Sequence, residues 1–116
     1  MDKITQFEDI LSWQKAKNLT LSIYQQFSSC KDYRFKDQIQ RASVSIMNNI
    51  AEGYERSADK QFSHFLYIAK GSAAEVRSML YLAVSLNYID QNNFDALTQE
   101  SLEISRLLSG LIKKLT

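Results

Sequence analysis

The residues of this chain with most polar chemistry to offer are Arg41, Asn48, Asn49, Glu52 and Glu75. Glu52 and Glu75 are the carboxylates to consider as an acid/base pair. A guanidinium within reach makes them salt-bridge partners instead, and that is the reading preferred: Arg41 is predicted to pair with Glu75 or Glu52, within a subunit or between two. An antiparallel helix pair mirrored about Ser57-Ala58 sets Arg41 opposite Ala74, and so beside Glu75. His64 is the sole histidine, which excludes a His-pair metal site, and no nucleophile stands ready to use it as a base. It reads as a surface or interface residue bonded to Glu52 across the second loop. Cys30 is the sole cysteine, so there is no internal disulfide and no Cys-based metal site. With no activating group beside it, Cys30 reads as an inert thiol. A di-iron bundle needs two Glu-x-x-His pairs, and Gln61 occupies the required position before the single His. No catalytic residue, metal site or cofactor is expected.

A second set is basic: Lys15, Lys17, Lys31, Arg34, Lys36 and Arg41, with only Asp32 and Asp37 among them. Tyr33 and Phe35 interleave as groups on which bases could stack. Against this, lysines on helices usually keep a surface solvated, and Phe35 also fits a core stripe. The whole chain carries 14 Lys+Arg against 13 Asp+Glu, a formal charge of +1, and its isoelectric point is 7.8. Dedicated phosphate binders are usually strongly basic. A nucleic-acid-binding accessory role is therefore the alternative, behind a non-enzymatic scaffold that binds another macromolecule.

The elements that must position these residues are helices. The chain has 116 residues, one domain's worth, with no Pro and three Gly. Without proline, long helices run uninterrupted. The first is expected from Asp9 or Ile10, with Asp9 as a candidate cap and Trp13, Ala16, Leu19, Ile23 and Phe27 as its apolar stripe. Ser28 to Asp32 reads as a loop. The second carries Phe35, Ile39, Ala42, Ile46, Ile50 and Gly53 on one face and ends near Arg56. Ser57-Ala58-Asp59 supplies a turn and a new cap. The third carries Phe62, Leu66, Ala69, Ala73, Val76, Leu80 and Ala83 and runs to about Leu86. After the turn Asn87 to Asp90, Asn92 or Asn93 is expected to cap a fourth, with the stripe Phe94, Leu97, Ile104, Leu108, Leu111 and Leu115. Four amphipathic helices with short links imply an all-α, antiparallel up-down-up-down four-helix bundle spanning residues 1–116 as a single domain. No apolar run approaches the ~18 residues of a membrane span. The first ten residues hold no apolar secretory core, so a cytoplasmic setting is expected.

The stretch from Asp37 to Gly53, DQIQRASVSIMNNIAEG, resembles the signature of the bacterial four-helix-bundle family of 23S rRNA intervening-sequence proteins. Trp13 with Ala16, Phe65-Leu66, Ala69-Lys70-Gly71-Ser72 with Glu75, and Leu86-Asn87-Tyr88-Ile89 fit the same family. Met47 departs from it, standing where the family often has Pro; its loss should straighten the second helix. The resemblance implies a left-handed bundle that assembles as a ring of five. The accessory variability proteins of diversity-generating retroelements are similar; they are basic and act with a reverse transcriptase and nucleic acid. The family carries no catalytic residue over to this chain.

Two faces point to self-association. Arg41 and Asn48 lie opposite the core side of the second helix and Ser45 and Glu52 on its flank, with Asn49 at the core boundary; Ala42 to Ala51 holds no charge. The third helix carries, beyond its stripe, Tyr67, Ile68, Ala74, Met79, Tyr81, Leu82 and Leu86, and only a strip near Ser63, Lys70 and Arg77 reads as polar. A helix apolar nearly all round is normally covered all round. Ile68, Gly71, Leu82 and Leu86 are the candidate oligomer interface, and Gly71 offers close backbone approach within the bundle or between subunits. Two unlike faces suit a heterologous ring contact.

Overall fold

A computed structural model describes residues 3–116 of the protein. These form one 3-10 turn, Phe7–Asp9, and four helices: α1 (Leu11–Gln26), α2 (Tyr33–Glu55), α3 (Asp59–Ser85) and α4 (Gln91–Leu115), with no strand among the described residues. α2 runs unbroken through Met47.

The helix ends follow local hydrogen-bond chemistry, and two caps differ from expectation. Asp9 does not cap α1: its carboxylate accepts from the backbone N–H and hydroxyl of Thr5 at 3.2 and 3.1 Å. Ile10 takes the cap position without a side-chain bond. α2 is capped by Asp32, whose carboxylate accepts from the Phe35 N–H at 3.1 Å. Within the expected Ser57-Ala58-Asp59 turn, Ala58 takes the cap position of α3 without a side-chain bond, and Asp59 lies in the first turn, where a carboxylate complements the helix dipole. Asp90, rather than Asn92 or Asn93, caps α4 by accepting from the Asn93 N–H at 2.8 Å. α3 ends in a Schellman motif. Asn87 adopts φ 62°, its N–H donates to the Val84 carbonyl and the Tyr88 N–H donates to that of Ala83. Asparagine tolerates this left-handed conformation better than most residues.

Neighbouring helices run antiparallel. Thr20 of α1 reaches the Ser43 carbonyl of α2, while Phe27 meets Phe35. Gly53 of α2 packs on Phe65 of α3, while Gln38 meets Glu75. Ser101 of α4 donates to the Ala73 carbonyl of α3, while Tyr81 meets Phe94. α4 returns to pack on α1, and α1 and α3 stand on diagonal corners without packing on each other.

The inward stripes close on a core in which Leu19, Ile23, Phe27, Ile39, Ile46, Ile50, Leu66, Leu80, Ile104 and Leu108 are fully buried. Removal of this apolar surface from water, at ~25 cal/mol per Å², is the main term holding the helices together. The stripe shifts on α4: Ile112, one turn past Leu108, points inward, and Leu111 and Leu115 are half-buried. Trp13 and Phe62 also sit at the core's edge, against Phe7 and Tyr54 respectively. Gly53 is buried against Phe62 and Phe65 of α3.

Candidate interaction surface

Among the described residues, five of the ten exposed large apolar side chains lie along the outward side of α3 and its C-cap. Ile68 is 40 % exposed, Leu86 47 %, Leu82 50 %, Tyr67 59 % and Tyr81 60 %. Gly71, Ala74, Ser78 and Ser85 complete this back, and between Tyr67 and Leu86 its single exposed charge is Glu75. Met79 does not belong to it; it is buried. The strip expected to face water turns toward α4 instead. Ser63 is buried, Lys70 and Arg77 are half-buried, and Arg77 donates to the Ser105 hydroxyl of α4 at 3.1 Å. The face of α3 away from the bundle is thus less polar than its flank. Gly71 has nothing within 4 Å of an added Cβ, which excludes a close approach inside the bundle.

The polar residues of α2 lie on two sides. On the seam with α3, Ser45 and Ser72 share a hydrogen bond at 2.9 Å, and Asn49 donates to the Ser45 carbonyl and hydroxyl at 2.8 and 3.0 Å. Asn48 points outward and is exposed. Arg41 was expected to meet Glu75 or Glu52; within the chain it pairs with Asp37, one turn back, at 2.9 Å. Glu75 accepts from Gln38 at 3.4 Å, and Glu52 pairs with Arg56 at 3.7 Å. Loop length sets Arg41 near the height of Glu75 and leaves its lateral direction open; Gln38 stands on the α3 side of α2, and Arg41 on the outer side. Exposed pairs of this kind contribute under ~1 kcal/mol. His64 is exposed, with its ring edge-on to Phe65 at 5.8 Å rather than bonded to Glu52.

The basic set does not form one patch. Lys15 pairs with Glu103 of α4 at 2.8 Å. Beside that pair, burial first and then the Glu103 charge raise the Glu100 carboxyl, against the opposing pull of Lys15. Lys17 lies over the Trp13 ring, 5.9 Å from its centre. Lys31, Arg34 and Lys36 lie at one pole of the bundle, and Lys36 donates to the Ser28 carbonyl at 2.9 Å. About ten residues of α1, or ~15 Å, separate Lys17 from that pole. Phe35 is buried between Phe27 and Tyr88. Only Tyr33, 71 % exposed, stands free among the cations.

At the same pole is a hollow of about 490 Å³ lined by Cys30, Lys31, Asp32, Asn87 and Tyr88. The Tyr88 hydroxyl donates to Asp32 at 2.7 Å and joins the α1–α2 loop to the α3–α4 turn, a link that spacing alone does not reveal. This hydroxyl first, and the Phe35 N–H second, hold the Asp32 carboxyl below the ordinary value of 3.8. Because the folded value is the lower one, the stabilisation is present above the unfolded value and is lost as pH falls through the folded one. Asp32→Asn keeps a good helix cap but removes the charge. Melting curves from about pH 5 to pH 2 should therefore fall more steeply for the wild type than for Asp32→Asn. Parallel curves would remove the bond from the acid response.

Among the described residues, no group of three or more His, Cys, Asp or Glu side chains is placed to hold a metal ion, and no helix is long and apolar enough to cross a membrane. Four helices with this connectivity carry the α2 signature and its α3 counterpart on adjoining faces. The sequence model of the family described as 23S rRNA-intervening sequence protein matches residues 8–110. The chain belongs to that family. A crystal structure of a protein with unknown function from the S23 ribosomal protein family of Bacteroides thetaiotaomicron is similar, with a TM-score of 0.83 and 27 % identity. The likeness covers 89 % of this chain and 99 % of that one. The curated proteins gave no match. In this chain the Asp37 to Gly53 stretch lies along α2, and Gly53 packs tightly on Phe62 and Phe65 of α3.

Proposed function

We propose that this member of the family is a non-enzymatic, self-associating scaffold that binds another macromolecule, and that the back of α3 is its self-association surface. The observation that carries the reading is two groups of exposed apolar side chains on the back of α3, Tyr67 with Ile68 and Tyr81 with Leu82 and Leu86, joined by small residues and one charge, Glu75. Large exposed apolar patches on otherwise well-packed domains mark interaction sites. Ile68, Gly71, Leu82 and Leu86 all lie on this back. A ring of five is the assembly that the family resemblance supports, in a cytoplasmic setting. Nucleic acid is the weaker choice of partner, because the cations are divided between α1, one pole and the outer side of α2, and three of them are occupied, by Glu103, the Ser28 carbonyl and Asp37.

Leu82→Arg tests this reading. Leu82 is half exposed in the single chain, so the substitution should alter the stability of one subunit by no more than about 0.5 kcal/mol. In an assembly it would bury an unpaired charge, which typically costs several kcal/mol. Light scattering behind a sizing column should show an oligomer for the wild type and a monomer for Leu82→Arg, with the same circular dichroism. A wild-type monomer at tens of micromolar would refute the reading, and a stable dimer would remove the ring alone.

A further inference from the structure

We propose that the hollow between the start of α1 and the last turns of α4 binds a medium-chain fatty acid. Its carboxylate sits at Arg106 and Ser12, and its tail lies along Gly110 toward the end of the bundle. The inference stands apart from the self-association reading and uses no residue of the α3 back.

The hollow measures about 280 Å³, close to the lower end of ordinary small-molecule sites, ~300–1,000 Å³. Its walls are apolar: Ile4 and Leu11, 44 % and 51 % exposed, with Leu107 and Leu111 of α4. The segment carrying Ile4 is tied to α2, where the Tyr54 hydroxyl donates to the Ile4 carbonyl at 3.2 Å. Gly110 lies between the two leucines and also lines the hollow. Glycine weakens a helix interior, and no packing contact of this chain requires it here, because an added Cβ would meet nothing within 4 Å. Its missing side chain leaves the hollow open.

The polar groups gather at one end. The Lys15–Glu103 pair, at 2.8 Å, sets the register of α1 against α4. Three residues from it on each of these antiparallel helices, toward the start of α1, Ser12 comes level with Arg106. Ser12 lines the hollow and is 3 % exposed, and its hydroxyl is buried with no hydrogen-bond partner. A buried hydroxyl left unbonded is unfavourable, so this one calls for a partner. α1 begins at the same height with no side-chain cap and no acidic residue in its first turn, which leaves its positive end unanswered. Arg106 is exposed and makes no ion pair among the described residues. No carboxylate lines the hollow, and Glu103, one turn from Arg106, is held by Lys15. Hydroxyl, guanidinium and helix start together suit an anion, and the apolar walls suit an anion with a tail.

The length of the tail follows from the helix. From Arg106 to Lys114, both on the hollow, α4 advances ~12 Å. At roughly 1.25 Å per carbon–carbon bond, an extended ten-carbon chain spans ~11 Å. In the bound state the Ser12 hydroxyl turns to the hollow and donates to the carboxylate, and Arg106 pairs with it. The stem of Lys114 flanks the end of the tail and keeps its charge in water.

Calorimetric titration of the full chain with sodium decanoate, below its micellar range, should show saturable binding of one decanoate per chain. Octanoate, two methylenes shorter, should bind about fifteen-fold more weakly. Decyltrimethylammonium, the same tail on a cation, should not bind. Gly110→Leu should fill the hollow and abolish decanoate binding at unchanged circular dichroism. Arg106→Gln, at an exposed position, should weaken binding at least about tenfold, and it carries the test if Gly110→Leu fails to fold. Ser12→Ala should weaken binding while leaving the empty chain no less stable, a combination that a purely structural hydroxyl would not give. Absence of saturable binding, equal binding of the ammonium compound, or full binding by either Gly110→Leu or Arg106→Gln would overturn the inference. A Gly110→Leu chain with a changed mass by light scattering would overturn it too, because another copy would then fill the hollow.

Discussion

Phe27→Ala should lower the unfolding free energy by about 3–5 kcal/mol. Phe27 ends α1 and is fully buried. Its ring centre is 5.5 Å from that of Phe35 at the start of α2, and Phe35 in turn lies 5.2 Å, edge-on, from Tyr88 in the α3–α4 turn. One row of three rings therefore joins three segments at the same pole. Alanine would remove the ring that the helix ends pack around, and capped, anchored backbone on either side limits how far the gap can collapse. Denaturant titration should show a lower midpoint with an unchanged slope. Tyr33→Ala, at an exposed position of the same pole, should shift stability by no more than about 0.5 kcal/mol. Equal losses at the two positions would contradict the packing assigned to Phe27.

Gly53→Ala and Gly71→Ala should move stability in opposite directions. Both glycines are helical, and alanine is favoured by ~1 kcal/mol in a helix interior. At Gly53 a new Cβ would lie 2.7 Å from the Phe65 Cβ, 3.0 Å from the Phe62 ring and 3.3 Å from the Phe62 carbonyl oxygen. The Phe65 Cβ is fixed to its backbone, so relief requires α2 and α3 to separate. Overpacking of this kind costs about 1–3 kcal/mol, occasionally more, and should exceed the helical gain. At Gly71 the added methyl would meet nothing in the same chain. Gly71→Ala should therefore stabilise the single subunit by up to ~1 kcal/mol. Thermal melts of both variants under conditions that keep the chain monomeric would decide; a stabilised Gly53→Ala would show that the two helices can move apart at little cost.

These two glycines also mark where one-dimensional reading ends. Both stand in apolar helical surroundings in the sequence, and both could serve close packing. Hydrophobic period sets Gly53 on the inward stripe of α2 and Gly71 off that of α3, but only the position of α3 shows that Gly53 is packed tightly and that Gly71 has no neighbour in the chain. Lys70 and Arg77 show the same limit. Their spacing with Ser63 marks a polar strip, but hydrophobic period does not say whether that strip meets water or the edge of α4. Arg41 was set at the right height because loop length fixes the register of an antiparallel pair. Its lateral partner stayed open, because Gln38 on the seam and Arg41 on the outer side differ by only about 60° on the helical wheel.

By itself the sequence determined four helices, their order and the inward side of each. Absence of proline, apolar residues three and four apart and short polar links are local properties, and each acts along one helix or one turn. It also determined that α3 carries more apolar surface than a bundle position can cover. The tertiary structure alone decided which residues share that uncovered surface, which cations are occupied, and that the Tyr88 hydroxyl reaches Asp32 across 56 positions. Those outcomes depend on how neighbouring helices are rotated against one another. That rotation is settled by how the inward stripes of all four helices pack in one core, and not by the pattern of any one helix.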